Sequence, residues 1–144
     1  MSDADLVKLY SGQILQLAGS IPHLGRLAAP MGSARLRSAL CGSSITVDLD
    51  VRDGRISRFA QEVKACALGQ ASASVLGRVV IGRNRDELVG ASNDLSALLA
   101  ENGPTPQPPF GGYEVLRAAR DYKNRHASIL LALNTTIAAI DACL

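Results

Sequence analysis

Three side chains in the 144-residue sequence are of types that can do chemistry together: Cys41, Cys66 and His126. A thiolate binds soft metals or attacks sulfur, and a neutral imidazole offers a nitrogen lone pair. Two thiolates and one imidazole form a Cys₂His donor set suited to zinc or an iron–sulfur cluster, with a fourth position left open. Each residue also has a plainer reading. A cysteine in an apolar segment is a small buried hydrophobe as readily as a ligand. His126, which opens an apolar stripe, reads equally as a partly buried or capping histidine. Cys143 is penultimate and isolated, and His23 lies beside Pro22 in a loop, so neither is a candidate.

The elements that must position these residues are readable in outline. Asp5 to Ala18 carries Leu6, Leu9, Tyr10, Gln13 and Leu17 on one helical face, stopped by Gly19-Ser20. Ile21 to Gly32 holds two prolines and two glycines and reads as loop. Ser33 to Leu40 reads as a short strand. Ser44 to Val51 is the clearest strand, with Ile45, Val47, Leu49 and Val51 alternating with polar residues. Asp53-Gly54 signals a hairpin turn, and a third strand follows over 55–65. Helical periodicity then takes over: Leu68, Ser72, Val75, Leu76 and Val79 share a face of a helix ended by Gly82. Asn84, with Glu87 three residues on, caps the next helix, whose stripe is Leu88, Ala91, Leu95 and Leu98. Residues 103–112 carry four prolines and form a loop. The last helix, with Asn124 as its expected cap, repeats Leu130, Leu133, Ile137, Ile140 and Leu144, with His126 one turn ahead. These elements predict a single α+β domain over 1–144, a three-stranded antiparallel meander packed against four to five helices.

Those elements bring the two cysteines together. With Asp53-Gly54 as a two-residue turn, the continued hairpin register sets Cys41 directly across from Cys66, with Cβ atoms about 4.5–5.5 Å apart. A three-residue loop shifts the register by one, pairing Ile45 with Val63 and Leu49 with Phe59, a better apolar match that still leaves the thiols neighbours. Cys66 also opens a helix, where free N–H groups and the helix dipole favour thiolate. His126, near the start of the last helix, is disfavoured as imidazolium by the same dipole and so keeps a nitrogen free to coordinate. Gly42 lets backbone approach a bound ion closely.

Composition removes several function classes. The net charge is +2 with acids and bases interspersed, and there are two Phe, three Tyr and no Trp, so neither a basic face nor a stacking platform points to nucleic acid. Apolar residues make up 47% and charged residues 19%, which argues against disorder. No stretch approaches the roughly 18 apolar residues of a membrane span. The acidic start, without a long apolar run, predicts no secretory signal, and three cysteines do not make a disulfide framework, so a reducing, cytoplasmic setting is expected. There is no His-x-Glu, Cys-x-x-Cys, Gly-x-Ser-x-Gly or Gly-Lys-Ser/Thr phosphate loop, which leaves hydrolase, deaminase and nucleotide-binding readings unsupported.

The segment Leu40-Cys41-Gly42-Ser43, the alternating strand with Asp53-Gly54, and the run Ala65-Cys66-Ala67-Leu68-Gly69-Gln70-Ala71-Ser72-Ala73-Ser74 together resemble the U-type iron–sulfur cluster assembly scaffolds (IscU, SufU and the N-terminal domain of NifU). Leu9-Tyr10 with Ile14 is similar to the family's opening helix. Arg125-His126-Ala127-Ser128-Ile129-Leu130 stands where the family has a basic residue, its third cysteine and a final helix. The room between Cys66 and His126 is closer to the SufU type. The resemblance implies that Cys41 and Cys66 hold zinc or a transient cluster, with His126 substituting for the third cysteine and Ser43 standing where the family has a ligating Asp. Ser43 is a poor ligand at neutral pH, so the fourth position falls to water, sulfide or a partner's side chain. An imidazole cannot carry a persulfide, so sulfur acceptance must use Cys41 or Cys66.

Three roles follow from that resemblance. The first is a non-enzymatic scaffold that assembles a cluster from iron and sulfide and passes it to recipient apo iron–sulfur proteins. The second is a zinc-bound sulfur-transfer protein served by a cysteine desulfurase. The third is a degenerate homologue without turnover, motivated by Ser43 and His126.

Overall fold

Ile45, Val47 and Leu49 point to one side of their strand and Thr46, Asp48 and Asp50 to the other, and the chain uses this period of two to build the middle of its sheet. The computed structural model describes residues 11–39 and 42–143. In it, β1 (Gly32–Arg37), β2 (Ser44–Arg52) and β3 (Arg55–Lys64) form an antiparallel sheet in the order β1-β2-β3. The inner-face residues of β2 are wholly buried, and Phe59 of β3 packs into the same core. The fold is α+β, as the sequence predicts.

The hairpin turn resolves the two candidate registers. Asp53 and Gly54 both take positive φ, 53° and 77°, the backbone of a two-residue type I′ turn. Beside it Val51 pairs with Ile56 and Arg52 with Arg55. An irregularity between Asp50 and Val51 then shifts the ladder by one residue, so Ile45 lies opposite Val63 and Leu49 opposite Phe59. The short turn and the better apolar match are therefore both realised, with a bulge between them. The described ladder ends with Ser44 opposite Lys64, short of the expected pairing of Cys41 with Cys66. Cys41 lies outside the described residues, as do Leu6, Leu9 and Tyr10 of the expected first helix and Leu144.

The described helices are α1 (Gly12–Ala18), α2 (Ala67–Val79), α3 (Arg85–Glu101), a 3₁₀ segment (Phe110–Ala119) and α4 (Lys123–Asp141). The capping box at α3 forms as predicted: Asn84 Oδ1 accepts from the Glu87 N–H at 2.8 Å, and Glu87 Oε1 accepts from the Asn84 N–H at 3.2 Å. Leu88, Ala91, Leu95 and Leu98 are all buried. The proline-rich loop passes at Phe110 into the 3₁₀ segment, which the sequence reading did not anticipate.

One expectation about α4 is corrected. Asn124 is not its cap, because the turn after Ala119 leads straight into the helix and Tyr122 takes that place. Of the expected stripe, Leu133 is fully buried and Leu130, Ile137 and Ile140 are half-buried against the core. Ser128, Ile129, Ala132, Thr135, Thr136 and Ala139 are covered as well, because α4 packs against α2, α3, β1 and β2 at once. The buried Thr135 and Thr136 hydroxyls are satisfied by donating to the Leu131 and Ala132 carbonyls one turn back.

The loop between α1 and β1 is anchored to the sheet. Gln61 of β3 exchanges backbone hydrogen bonds with His23 and Gly25, which covers that strand's free edge. Arg26 reaches over the sheet's outer face to the buried Asp48, with Nε 2.7 Å and Nη2 3.1 Å from its two carboxylate oxygens. Ser33 Oγ and the Leu27 N–H donate to the same carboxylate at 2.6 and 3.1 Å.

Candidate functional site

Where β3 ends and α2 begins, Cys66 occupies the N-cap position with an extended backbone, φ −66° and ψ 170°. Its half-buried sulfur therefore faces the free N–H groups of the first helical turn. Burial pushes the Cys66 thiol up. The N–H of Gly69, the Ser128 hydroxyl, the N–H of Leu68 and the Arg125 charge together outweigh it and hold the thiol below its ordinary value. The expected thiolate-favouring helix start is thus made of named donors.

Ser128 arrives from α4. Its Oγ lies 3.7 Å from Cys66 Sγ and 2.9 Å from Ser43 Oγ. Ser43 and Ser128 are buried, at 2% and 0% exposure, so neither hydroxyl depends on bulk water for its partner. When Ser128 donates to the sulfur, Ser43 donates to Ser128, and the two hydroxyls form a short relay ending on a thiolate. Gly69 makes room for this arrangement: a Cβ there would come within 2.6 Å of Ser128 Oγ and 2.8 Å of Ala65 Cβ. The small residues that follow let α2 and α4 approach closely, with Ser72 Oγ donating to the Ile129 carbonyl. Sequence reasoning missed Ser128, since its only local signal is a small polar residue within an apolar helix.

On the other side of the site, the loop that carries residue 41 is closed at its base. The Ser38 N–H donates to the Ser43 carbonyl at 2.8 Å, and the Gly42 N–H donates to the Ser38 carbonyl at 3.0 Å. Gly42 has φ 66°, the left-handed region that favours glycine.

His126 sits in the first turn of α4, half-buried. Its Nε2 is 3.0 Å from the Arg120 carbonyl oxygen and 3.2 Å from that of Ala119. Both partners are acceptors, so in the neutral ring Nε2 carries the proton and Nδ1 keeps the lone pair. A second ring N–H held by backbone carbonyls is how a ligating imidazole is commonly oriented. The structure therefore joins Cys66, Ser128 and Ser43 by direct contact, while the His126 hydrogen bonds go to the end of the 3₁₀ segment. Among the described residues no three His, Cys, Asp or Glu side chains form a group placed to hold a metal. Among those residues, too, no helix is long and apolar enough to cross a membrane.

No protein-family model matches the chain. A crystal structure of a nitrogen-fixing NifU-like protein (N-terminal) from Brucella abortus is 45% identical, with a TM-score of 0.92 over 96% of both chains. The iron–sulfur cluster assembly scaffold protein IscU of Thermotoga maritima is 32% identical over 80 residues, a match that spans 56% of this chain and 56% of that protein's length. The structure of a SUF-system scaffold from Fervidobacterium islandicum AW-1 shares the fold, with a TM-score of 0.80 at 18% identity over 93% of this chain and 98% of that one. A fold shared over nearly the whole length, at 45% identity to the NifU-like protein, places the chain in the family of U-type iron–sulfur cluster assembly scaffolds.

Proposed function

We propose that this protein is a scaffold on which an iron–sulfur cluster is assembled from iron and sulfide and then released to recipient apo proteins. The observation that carries the reading is Cys66, a thiol at the N-cap of α2 whose sulfur lies 3.7 Å from the Ser128 hydroxyl and which is held below its ordinary pKa. Cys41, on the loop closed by Ser38 and Ser43, supplies the second thiolate. His126 supplies a nitrogen through Nδ1, its Nε2 being engaged by Ala119 and Arg120. Iron and sulfide are cargo here. Two thiolates and an imidazole hold them strongly enough for assembly, and a fourth position without a protein ligand leaves a path for release. Ser43 is committed to Ser128 and acts from behind the site, so water, sulfide or a partner's side chain takes that position. Zinc fits the same donors and competes with iron for them.

Sulfur delivery gives a second role to Cys66. A cysteine desulfurase presents a persulfide; the Cys66 thiolate attacks its outer sulfur, a new S–S bond forms as the old one breaks, and the desulfurase cysteine leaves as a thiolate. The activated thiol favours this step at Cys66, and imidazole at 126 rules it out there.

Anaerobic reconstitution with ferrous iron and sulfide tests the reading. The expected result is visible charge-transfer absorption that is absent from Cys66→Ser and that transfers to an apo ferredoxin. A colourless wild-type product contradicts it.

A further inference from the structure

We infer that Ser128, held by Ser43, is a positioning residue for sulfur acceptance: it fixes the Cys66 sulfur from the protein side, so that the sulfur's free side faces an incoming persulfide. The inference rests on the sulfur-delivery role proposed above for Cys66. Its direction follows from the two contacts. A thiolate carries no proton, so across the 3.7 Å contact the Ser128 hydroxyl is the donor and Cys66 Sγ the acceptor. A hydroxyl has one proton, so across the 2.9 Å contact Ser43 donates to Ser128. The two serines thus form a chain with a single order. Both hydroxyls are buried, whereas Cys66 is only half-buried. The hydroxyl therefore meets the sulfur on its inner side and leaves the outer side to solvent. The supports are helical at both ends: Cys66 is the N-cap of α2, Ser128 lies within α4, and the two helices pack on each other. Gly69 leaves the gap that Ser128 fills, since a Cβ there would come within 2.6 Å of its oxygen.

Sulfur transfer is an in-line displacement. The Cys66 thiolate attacks the outer sulfur of the donor persulfide, the new S–S bond forms opposite the one that breaks, and the donor cysteine leaves as a thiolate. A persulfide carried by a partner protein arrives from one direction, so the attacking sulfur must face that way. A small reagent approaches from any open side and has no such requirement. Loss of the Ser128 hydroxyl therefore separates two reactions that a change in thiolate fraction alone would slow together.

The test compares two rates on the full chain at one pH, both read by mass at the Cys66 peptide. One is sulfur transfer from a purified cysteine desulfurase supplied with sulfur-labelled cysteine. The other is alkylation by iodoacetamide. Their quotient cancels any change in thiolate fraction. Ser128→Ala is expected to lower the quotient about tenfold, through the limiting rate rather than the chain concentration at half-saturation. Ser43→Ala lowers it in the same sense and carries the test should Ser128→Ala fold poorly. The double variant is no slower than Ser128→Ala, because Ser43 acts through Ser128. Asn84→Ala, which weakens the fold away from the site, leaves the quotient unchanged and so separates positioning from stability. A wild-type quotient in both serine variants overturns the inference and leaves sulfur delivery standing. Additive losses in the double variant overturn the ordered chain of hydroxyls. Wild-type protein that takes no sulfur on Cys66 overturns the sulfur-delivery role and the inference with it.

Discussion

The Ser128 hydroxyl stands 3.7 Å from the Cys66 sulfur and is itself held at 2.9 Å by Ser43, so a residue of the last helix contributes to the state of a thiol at the start of the second. Removing that hydroxyl raises the Cys66 pKa and lowers its thiolate fraction. A hydrogen bond contributing about 0.5–1.5 kcal/mol corresponds to about a two- to tenfold change. Ser128→Ala is therefore expected to slow alkylation of Cys66 by iodoacetamide at neutral pH by that factor. The midpoint of the rate–pH profile moves up, and the plateau at high pH stays intact.

Gly69→Ala places a methyl group against Ser128 Oγ and Ala65 Cβ. Overpacking of this kind costs about 1–3 kcal/mol, read as a lower denaturant midpoint. Combining it with Ser128→Ala recovers part of the loss, because the nearest clashing atom is gone while Ala65 remains. Strict additivity of the two changes contradicts the contact.

Asp48 is buried and held by Arg26, Ser33 and the Leu27 N–H. The Arg26 hydrogen bond is the largest influence on its carboxyl; burial opposes it, and the net effect holds the group below the usual carboxylate range. A depressed folded-state pKa means stability that is fully present above the unfolded-state value and is lost as pH falls through the folded one. Arg26→Ala should therefore shift acid unfolding to higher pH. Asp48→Ala, which leaves the partly exposed Arg26, Ser33 and Leu27 donors to water, should destabilise the fold by about 1 kcal/mol at neutral pH, measured by urea unfolding.

The capping box gives a smaller effect. Asn84→Ala removes the acceptor for the Glu87 N–H and is expected to destabilise the protein by about 1 kcal/mol, visible as a lower Tm with Cys66 reactivity unchanged.

Features carried by local chemistry were legible in the sequence. The alternation of Ile45, Val47 and Leu49, the Asp53-Gly54 turn and the Asn84/Glu87 box each act within a few residues, and each forms as expected. The bulge between Asp50 and Val51 was not legible, because it reconciles a turn preference with a cross-strand apolar match that conflict by one residue. The stripe on α4 showed only part of its buried surface for a related reason. A periodic stripe identifies the inner face of a helix covered on one side, and α4 is covered on several. At the site, Cys66 and its helix start could be read directly. Its partner Ser128 lies 62 residues away, and only the packing of α4 on α2 brings it in.

The most direct test of the central claim is the metal content of the protein purified anaerobically from cells without added metal, measured beside Cys66→Ser and His126→Ala. Close to one bound zinc, or iron with sulfide, is expected per wild-type chain, with the content lost in Cys66→Ser and sharply reduced in His126→Ala. Wild-type protein without metal, or a full complement retained in Cys66→Ser, would contradict it.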